Sequence, residues 1–335
     1  MRSFTSAALC ASLLALPLLP QQKPPAEDAP PPIPSIKVDV DIVNILASVR
    51  DKRNGLVANL NKDDFTLFED GQKQTIKYFT KETDLPLTIG LLVDVSASQR
   101  NLIEIERSAA SEFFHSVLRK KDEAFLISFG EEAELLQDYT QSPKLLNEGL
   151  NRLRVSSGVS GLHPGPVPTA GQPRGTVMYD AVYLAAKEKL TSEVGRKVIV
   201  LITDGVDQGS RLDIRQAIEA AQKADAVVYS IYYYDASAYG GHMGISFGGG
   251  GEGYLKRMSD DTGGHVFKVD RKHTLNDVFK ELQDEMRSQY AIGYTPINDK
   301  KDGSFRKVDL RLADKNLKVQ ARKGYYAIRP EDRER

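Results

Sequence analysis

The chain has 335 residues, room for two domains, or for one domain with a sizeable partner, at ~100–200 residues per domain. An apolar fraction of 41% and a charged fraction of 27% describe a soluble globular protein. The net charge of −1 excludes a global field that would recruit nucleic acid or an anionic membrane, and mixed-sign runs such as Arg119–Glu123 read as solvated turns.

In chain order, Arg2 supplies a short positive region. Ala7–Leu19 supplies an apolar stretch too short for a comfortable membrane span. Residues 1–20 therefore read as an export signal, which predicts a periplasmic, cell-surface or secreted protein. No A-x-A precedes Gln21, so an uncleaved anchor is the alternative and the one route to a membrane. Cys10 follows Leu9, where a lipoprotein signal wants a small residue. Cleavage near Pro20 leaves a chain with no cysteine, hence no disulfide frame. Eight of the sixteen prolines lie between Pro17 and Pro34, so residues 21–35 are expected to be a stiff, extended tether.

Residues 36–84 read as β-rich. IKVDVDIVNILASVRD alternates and then runs apolar, Asn54-Gly55 is a hairpin signal, and DFTLFEDGQKQTIKYFTKE alternates on both sides of Asp70-Gly71. From Leu87 the texture changes to strands alternating with helices. LTIGLLVDV is a continuous apolar strand, as in a buried parallel sheet. A helix follows from about Leu102, with Asn101 and Glu104 spaced as a capping pair and a buried stripe of Ala110, Phe113, Phe114, Val117 and Leu118.

DEAFLISFG and AELLQDYT are strands able to pair antiparallel, and Lys144–Leu153 is a short helix. A loop of some twenty residues precedes a helix over Thr176–Leu190. RKVIVLITDG is a strand, Asp213–Ala224 a helix and AVVYSIYYYD a strand. After a glycine-rich loop from Ala236 to Gly253 come a short helix over Tyr254–Asp260, the strand HVFKV and a helix over Leu275–Arg287. This alternation predicts an α/β domain over residues 86–290, a doubly wound, mostly parallel sheet. Residues 291–330 return to β texture with a turn at Asp302-Gly303. Each β segment is too small to build a core alone. They are expected to pair into one β-sandwich flanking the inserted α/β domain.

The first α/β strand ends in Asp94, Ser96 and Ser98. Residues two apart in an extended backbone project to one side, so these oxygens converge at the strand's carboxyl end, where open α/β sheets bind ligands. Thr203-Asp204-Gly205 closes a second apolar strand the same way; as neighbours, the two strands bring Asp204 beside Asp94. Gly175-Thr176 is expected to contribute from between them. Such oxygens suit a hard divalent cation. The alternative is that the serines cap a helix and Asp204 makes a turn.

This pattern resembles the von Willebrand factor A domain, whose metal-ion-dependent adhesion site runs D-x-S-x-S, then Thr, then Asp. The resemblance covers about residues 86–290. It implies a metal site of Asp94, Ser96, Ser98, Thr176 and Asp204 holding Mg²⁺, with Mn²⁺ as the alternative. It also implies a non-enzymatic adhesion or scaffolding module whose protein partner offers an Asp or Glu carboxylate. The loops 155–175 and 236–253 would then form the rim that selects that partner. The wider arrangement is similar to secreted bacterial proteins with a von Willebrand-type domain behind a short β segment.

Competing motifs are weaker. Gly244–Gly248 spells G-x-S-x-G and Gly248, Gly250 and Gly253 spell G-x-G-x-x-G, but both lie in a glycine tract without the strand each needs. The five histidines are scattered without zinc spacing. Tyr232 and Tyr234 share a strand face and read as core or rim packing, with an interface anchor as the sharper option. Asp207 and Asp213 read as a loop charge and a helix cap. A metal-dependent hydrolase and a structural envelope protein binding through its sandwich are the competing functions; the first lacks a convincing general base.

Overall fold

The computed structural model describes residues 42–81, 85–156, 175–234 and 250–329. The expected signal, the proline-rich tether and Cys10 lie outside them. In chain order the strands and helices are β1 (Val43–Arg50), β2 (Phe65–Glu69), β3 (Gln72–Gln74), β4 (Tyr78–Lys81), β5 (Leu87–Asp94), α1 (Ile103–Val117), β6 (Glu123–Phe129), β7 (Ala133–Thr140), α2 (Pro143–Leu150) and α3 (Met178–Leu184). There follow β8 (Arg196–Thr203), α4 (Ile214–Lys223), β9 (Ala226–Tyr232), α5 (Gly250–Thr262), β10 (Val266–Lys268), α6 (Leu275–Arg287), β11 (Tyr290–Tyr294), β12 (Phe305–Leu312), β13 (Lys318–Ala321) and β14 (Gly324–Tyr326).

The α/β sheet has six strands in the order β10-β9-β8-β5-β6-β7. All its pairings are parallel except β6–β7. Every residue of β5, β8 and β9 is buried, the signature of a sheet covered on both faces. Alternation divides β5. Leu87, Ile89, Leu91 and Val93 pack with α1, α2 and α6, while Leu92 packs with α3, α4 and α5. The fold is thus a doubly wound α/β domain.

The β segments form two four-stranded sheets, β13-β1-β11-β4 and β14-β12-β2-β3. In each, strands from the N-terminal segment pair with strands from the C-terminal one: β1 with β11 and β13, β2 with β12. Their shared core includes Ile45, Phe65, Leu67, Tyr290, Ile292 and Leu310.

Local readings changed in several places. Asn54 takes φ 66°, but β1 and β2 enter different sheets and only an Arg50–Leu56 bridge forms across the turn, because β1 finds its partners in the C-terminal segment. Asp302-Gly303 likewise turns the chain between sheets, with Gly303 at φ 78°. Asp70-Gly71, with both φ positive, is the true hairpin, joining β2 to β3. The expected Asn101–Glu104 capping pair is replaced by a 3-10 turn at Ala97–Gln99, and α1 starts after Leu102 with no side-chain cap bond. The helix expected over Thr176–Leu190 is α3 followed by a π-helical stretch, Ala185–Leu190. α5 begins at Gly250, four residues before the expected start. Asp213 caps α4, accepting from the backbone N–H groups of Arg215 and Gln216.

Candidate metal centre

The site lies at the carboxyl ends of β5 and β8. These strands are parallel neighbours with Val93 opposite Ile202, so Asp94 and Thr203 arrive together. Thr203 Oγ1 donates to Asp94 Oδ2 at 2.6 Å, and the Ser96 N–H donates to Asp94 Oδ1 at 2.9 Å. The hydroxyls of Ser96 and Ser98 lie 2.9 Å apart, and Ser98 Oγ donates to Asp204 Oδ2 at 2.7 Å. Asp204 Oδ1 accepts from the Val206 N–H at 3.0 Å. One hydrogen-bonded chain thus links Asp94, Ser96, Ser98 and Asp204. Ser96 begins the 3-10 turn but makes no side-chain cap bond, so capping does not account for its hydroxyl.

Thr176 stands on the adjoining loop, where its carbonyl accepts from the N–H groups of Gln208 and Gly209 just beyond Asp204. Most of the expected rim, residues 157–174 and 235–249, lies outside the described residues.

Sequence reasoning missed three contributors. Thr203 orients Asp94 and also accepts from the Gly205 N–H. Gln99, fully buried, donates to the Tyr233 carbonyl while its Oε1 has no partner. Glu106 is fully buried on α1, and neither carboxyl oxygen has a hydrogen-bond partner. A signal for Glu106 existed: with Ile103, Ala110 and Phe113 it falls on the apolar stripe of α1, where a charge has no ordinary place.

Electrostatics bind these groups together. Burial, reinforced by the charge of Asp204, pushes Asp94 up to about 7 from its usual 3.8. Burial, reinforced by Asp94, holds the Glu106 carboxyl well above the usual range. Among the described residues neither Asp94 nor Glu106 forms an ion pair, and no group of three or more His, Cys, Asp or Glu forms a metal cage. The donor set is instead two carboxylates with hydroxyl oxygens between them, the chemistry of a hard, partly hydrated cation.

Two other elements border the site. The first turn of α5 touches it so closely that a Cβ on Gly251 would stand 2.1 Å from the Asp204 carbonyl oxygen, and one on Gly205 (φ 78°) 2.6 Å from that of Gly251. On β9, Tyr232 is in register with Thr203, and its ring stacks on that of Tyr234 at 5.3 Å.

Residues 89–206 match the model of the von Willebrand factor type A domain. The chain carries a von Willebrand factor type A domain. The match spans β5 through β8 and ends just past Asp204. Among solved structures, the chain resembles proximal thread matrix protein 1 from the mussel byssus (13% identity, TM-score 0.46, covering 65% of this chain and 51% of that one). It also resembles a von Willebrand factor type A protein from Catenulispora acidiphila (16%, TM-score 0.42, 73% and 49%). A third likeness is to an aerotolerance-related membrane protein from Bacteroides fragilis (17%, TM-score 0.42, 60% and 98%). The chain spans about half the length of the mussel and Catenulispora proteins. Among curated proteins none matches the chain. Among the described residues, no helix is long and apolar enough to cross a membrane.

Proposed function

We propose that this von Willebrand domain is an exported, non-enzymatic protein-binding module that engages its partner through a divalent cation. Asp94, Ser96, Ser98, Thr176 and Asp204 would hold the ion, Mg²⁺ or alternatively Mn²⁺. The ion would supply a Lewis-acidic position that a partner's Asp or Glu carboxylate completes. The observation that carries this reading is the excess of negative charge. Burial and the charge of Asp204 raise Asp94, burial and the charge of Asp94 raise Glu106, and the Ser96 N–H with the hydroxyls of Ser96 and Ser98 links Asp94 to Asp204. A cation reverses the sign of that interaction. Hydroxyl donors leave such an ion electron-poor and receptive to an anion.

Export follows from the N-terminal segment's signal-like pattern. A hydrolase needs a base free to act, and the described histidines are engaged elsewhere. His265 pairs with Glu285, His273 pairs with Glu281, and His115 bonds the Ser111 carbonyl. The test is calorimetric titration of Mg²⁺ into chelator-stripped protein beside its Asp94→Ala/Ser96→Ala variant. Saturable binding lost in the variant supports the reading. No uptake by the unchanged protein sinks it.

A further inference from the structure

Beside the carboxylates lies an aromatic platform that the metal reading does not use. Tyr232 is nearly buried, at 7% exposure, and its phenol feels the charges of Glu252 and Asp204. Its ring supports that of Tyr234, 5.3 Å away with planes 30° apart. Tyr234 is 41% exposed. The register of β9 on β8 sets Tyr232 beside Thr203, so Tyr234 lies beyond the end of β9 as Asp204 lies beyond the end of β8. Tyr254, 51% exposed, stands on α5 three residues after Gly251, whose backbone lies against Asp204 and Gly205. Arg100, two residues after Ser98, is exposed. A partly exposed ring supported by a second ring loses little entropy on binding, and aromatic rings with a polar tip are common interface anchors.

Resting on the metal reading above, we infer that Tyr234, seated on Tyr232, selects a partner segment in which the metal-seeking carboxylate is flanked by an aromatic side chain. Charge complementarity sets the first half of this recognition: the cation would draw an acidic segment, and the exposed Arg100 stands only two residues from Ser98. The second half is ring geometry. The Tyr232–Tyr234 stack continues by one more ring, and an added aromatic pair strengthens binding beyond the area it covers. The carboxylate then supplies attachment and the neighbouring ring supplies choice.

The probes are two peptides, acetyl-Gly-Phe-Glu-Phe-Gly-amide and acetyl-Gly-Ala-Glu-Ala-Gly-amide. Each is titrated calorimetrically into the full chain at saturating Mg²⁺, after Mg²⁺ uptake has been measured alone. The Phe peptide should bind about 2- to 10-fold more tightly than the Ala peptide. Tyr234→Ala should bring the two affinities together without changing Mg²⁺ uptake or Ala-peptide binding. Tyr234→Leu, which keeps apolar bulk but no ring, should do the same. Equal affinities in the unchanged protein, or a preference that survives both variants, overturn the inference while leaving the metal reading standing. A Pro-Glu-Pro peptide that outbinds the Phe peptide overturns the aromatic assignment. Absent Mg²⁺ uptake removes the metal reading, and this inference with it.

Discussion

Ser98 Oγ donates to Asp204 Oδ2 at 2.7 Å across 106 residues of chain. That bond ties the turn after β5 to the end of β8, and with Ser96 it makes the site one unit rather than two strand ends. Ser98→Ala should therefore weaken Mg²⁺ binding by at least tenfold. Folded stability should change by only about 1 kcal/mol, the net worth of one hydrogen bond. Calorimetry and urea denaturation of the same variant check both halves.

The raised Asp94 carboxyl makes a pH prediction with a definite sign. An acid whose folded value is about 7 against an ordinary 3.8 takes up a proton more readily when folded. Metal-free stability therefore falls as pH rises from about 4 to about 7, by an amount of order 4 kcal/mol. Mg²⁺ held at Asp94 would compete with that proton, so its affinity should rise with pH and level off above about 7. Asp94→Asn should flatten the stability curve and abolish Mg²⁺ binding. Urea midpoints at several pH values, with and without Mg²⁺, measure this.

Glu106, buried and facing the charge of Asp94, should hold its proton to a higher pH than an ordinary glutamate in the metal-free protein. Glu106→Gln keeps the shape and removes the ionisable group, so stability at pH 6 should change by less than about 1 kcal/mol. Glu106→Leu, which removes the unpartnered oxygens, should be neutral or stabilising, as when a buried polar group gives way to an apolar one. A loss of several kcal/mol in Glu106→Gln would show that a charged Glu106 is required. Equilibrium unfolding decides.

Glu285 on α6 fastens the α/β domain to the sandwich. It accepts from Ser48 Oγ and Arg50 on β1 and pairs with His265. Burial opposes its ionisation, but the hydrogen bond and charge of His265, with Arg50, outweigh burial and hold it down to about 2 from 4.5. Its contribution is present above pH 4.5 and lost as pH falls toward 2, about 3 kcal/mol in all. Glu285→Gln should lose stability at pH 6 and show a flatter acid limb in denaturation against pH.

The contact between Gly205 and Gly251 leaves no room for a side chain. A Cβ on Gly251 would approach the Asp204 carbonyl oxygen to 2.1 Å. Gly251→Ala must push α5 away, at a cost of about 1–3 kcal/mol, and should weaken Mg²⁺ binding by displacing Asp204. A thermal melt and a metal titration of the variant test this together.

The residue pattern alone determined the alternation of buried strands and helices, because apolar runs and helical stripes are local consequences of the backbone's two periods. It also determined the ends of β5 and β8 as polar, since oxygens at the close of an apolar strand are visible as composition. It supported the pairing of the two β segments only by argument, from exposed edges. Tertiary structure decided what depends on contacts across the chain. β1 takes β11 and β13 as partners and leaves Asn54-Gly55 without a hairpin, because long-range burial outweighs a local turn preference. Thr203 is assigned to Asp94, and Ser98 to Asp204, by the adjacency of β5 and β8, which no local spacing encodes. Glu106 shows the division most plainly. Its place on an apolar stripe is written in the sequence, but the charge of Asp94 that acts on it there exists only once α1 has folded against the sheet.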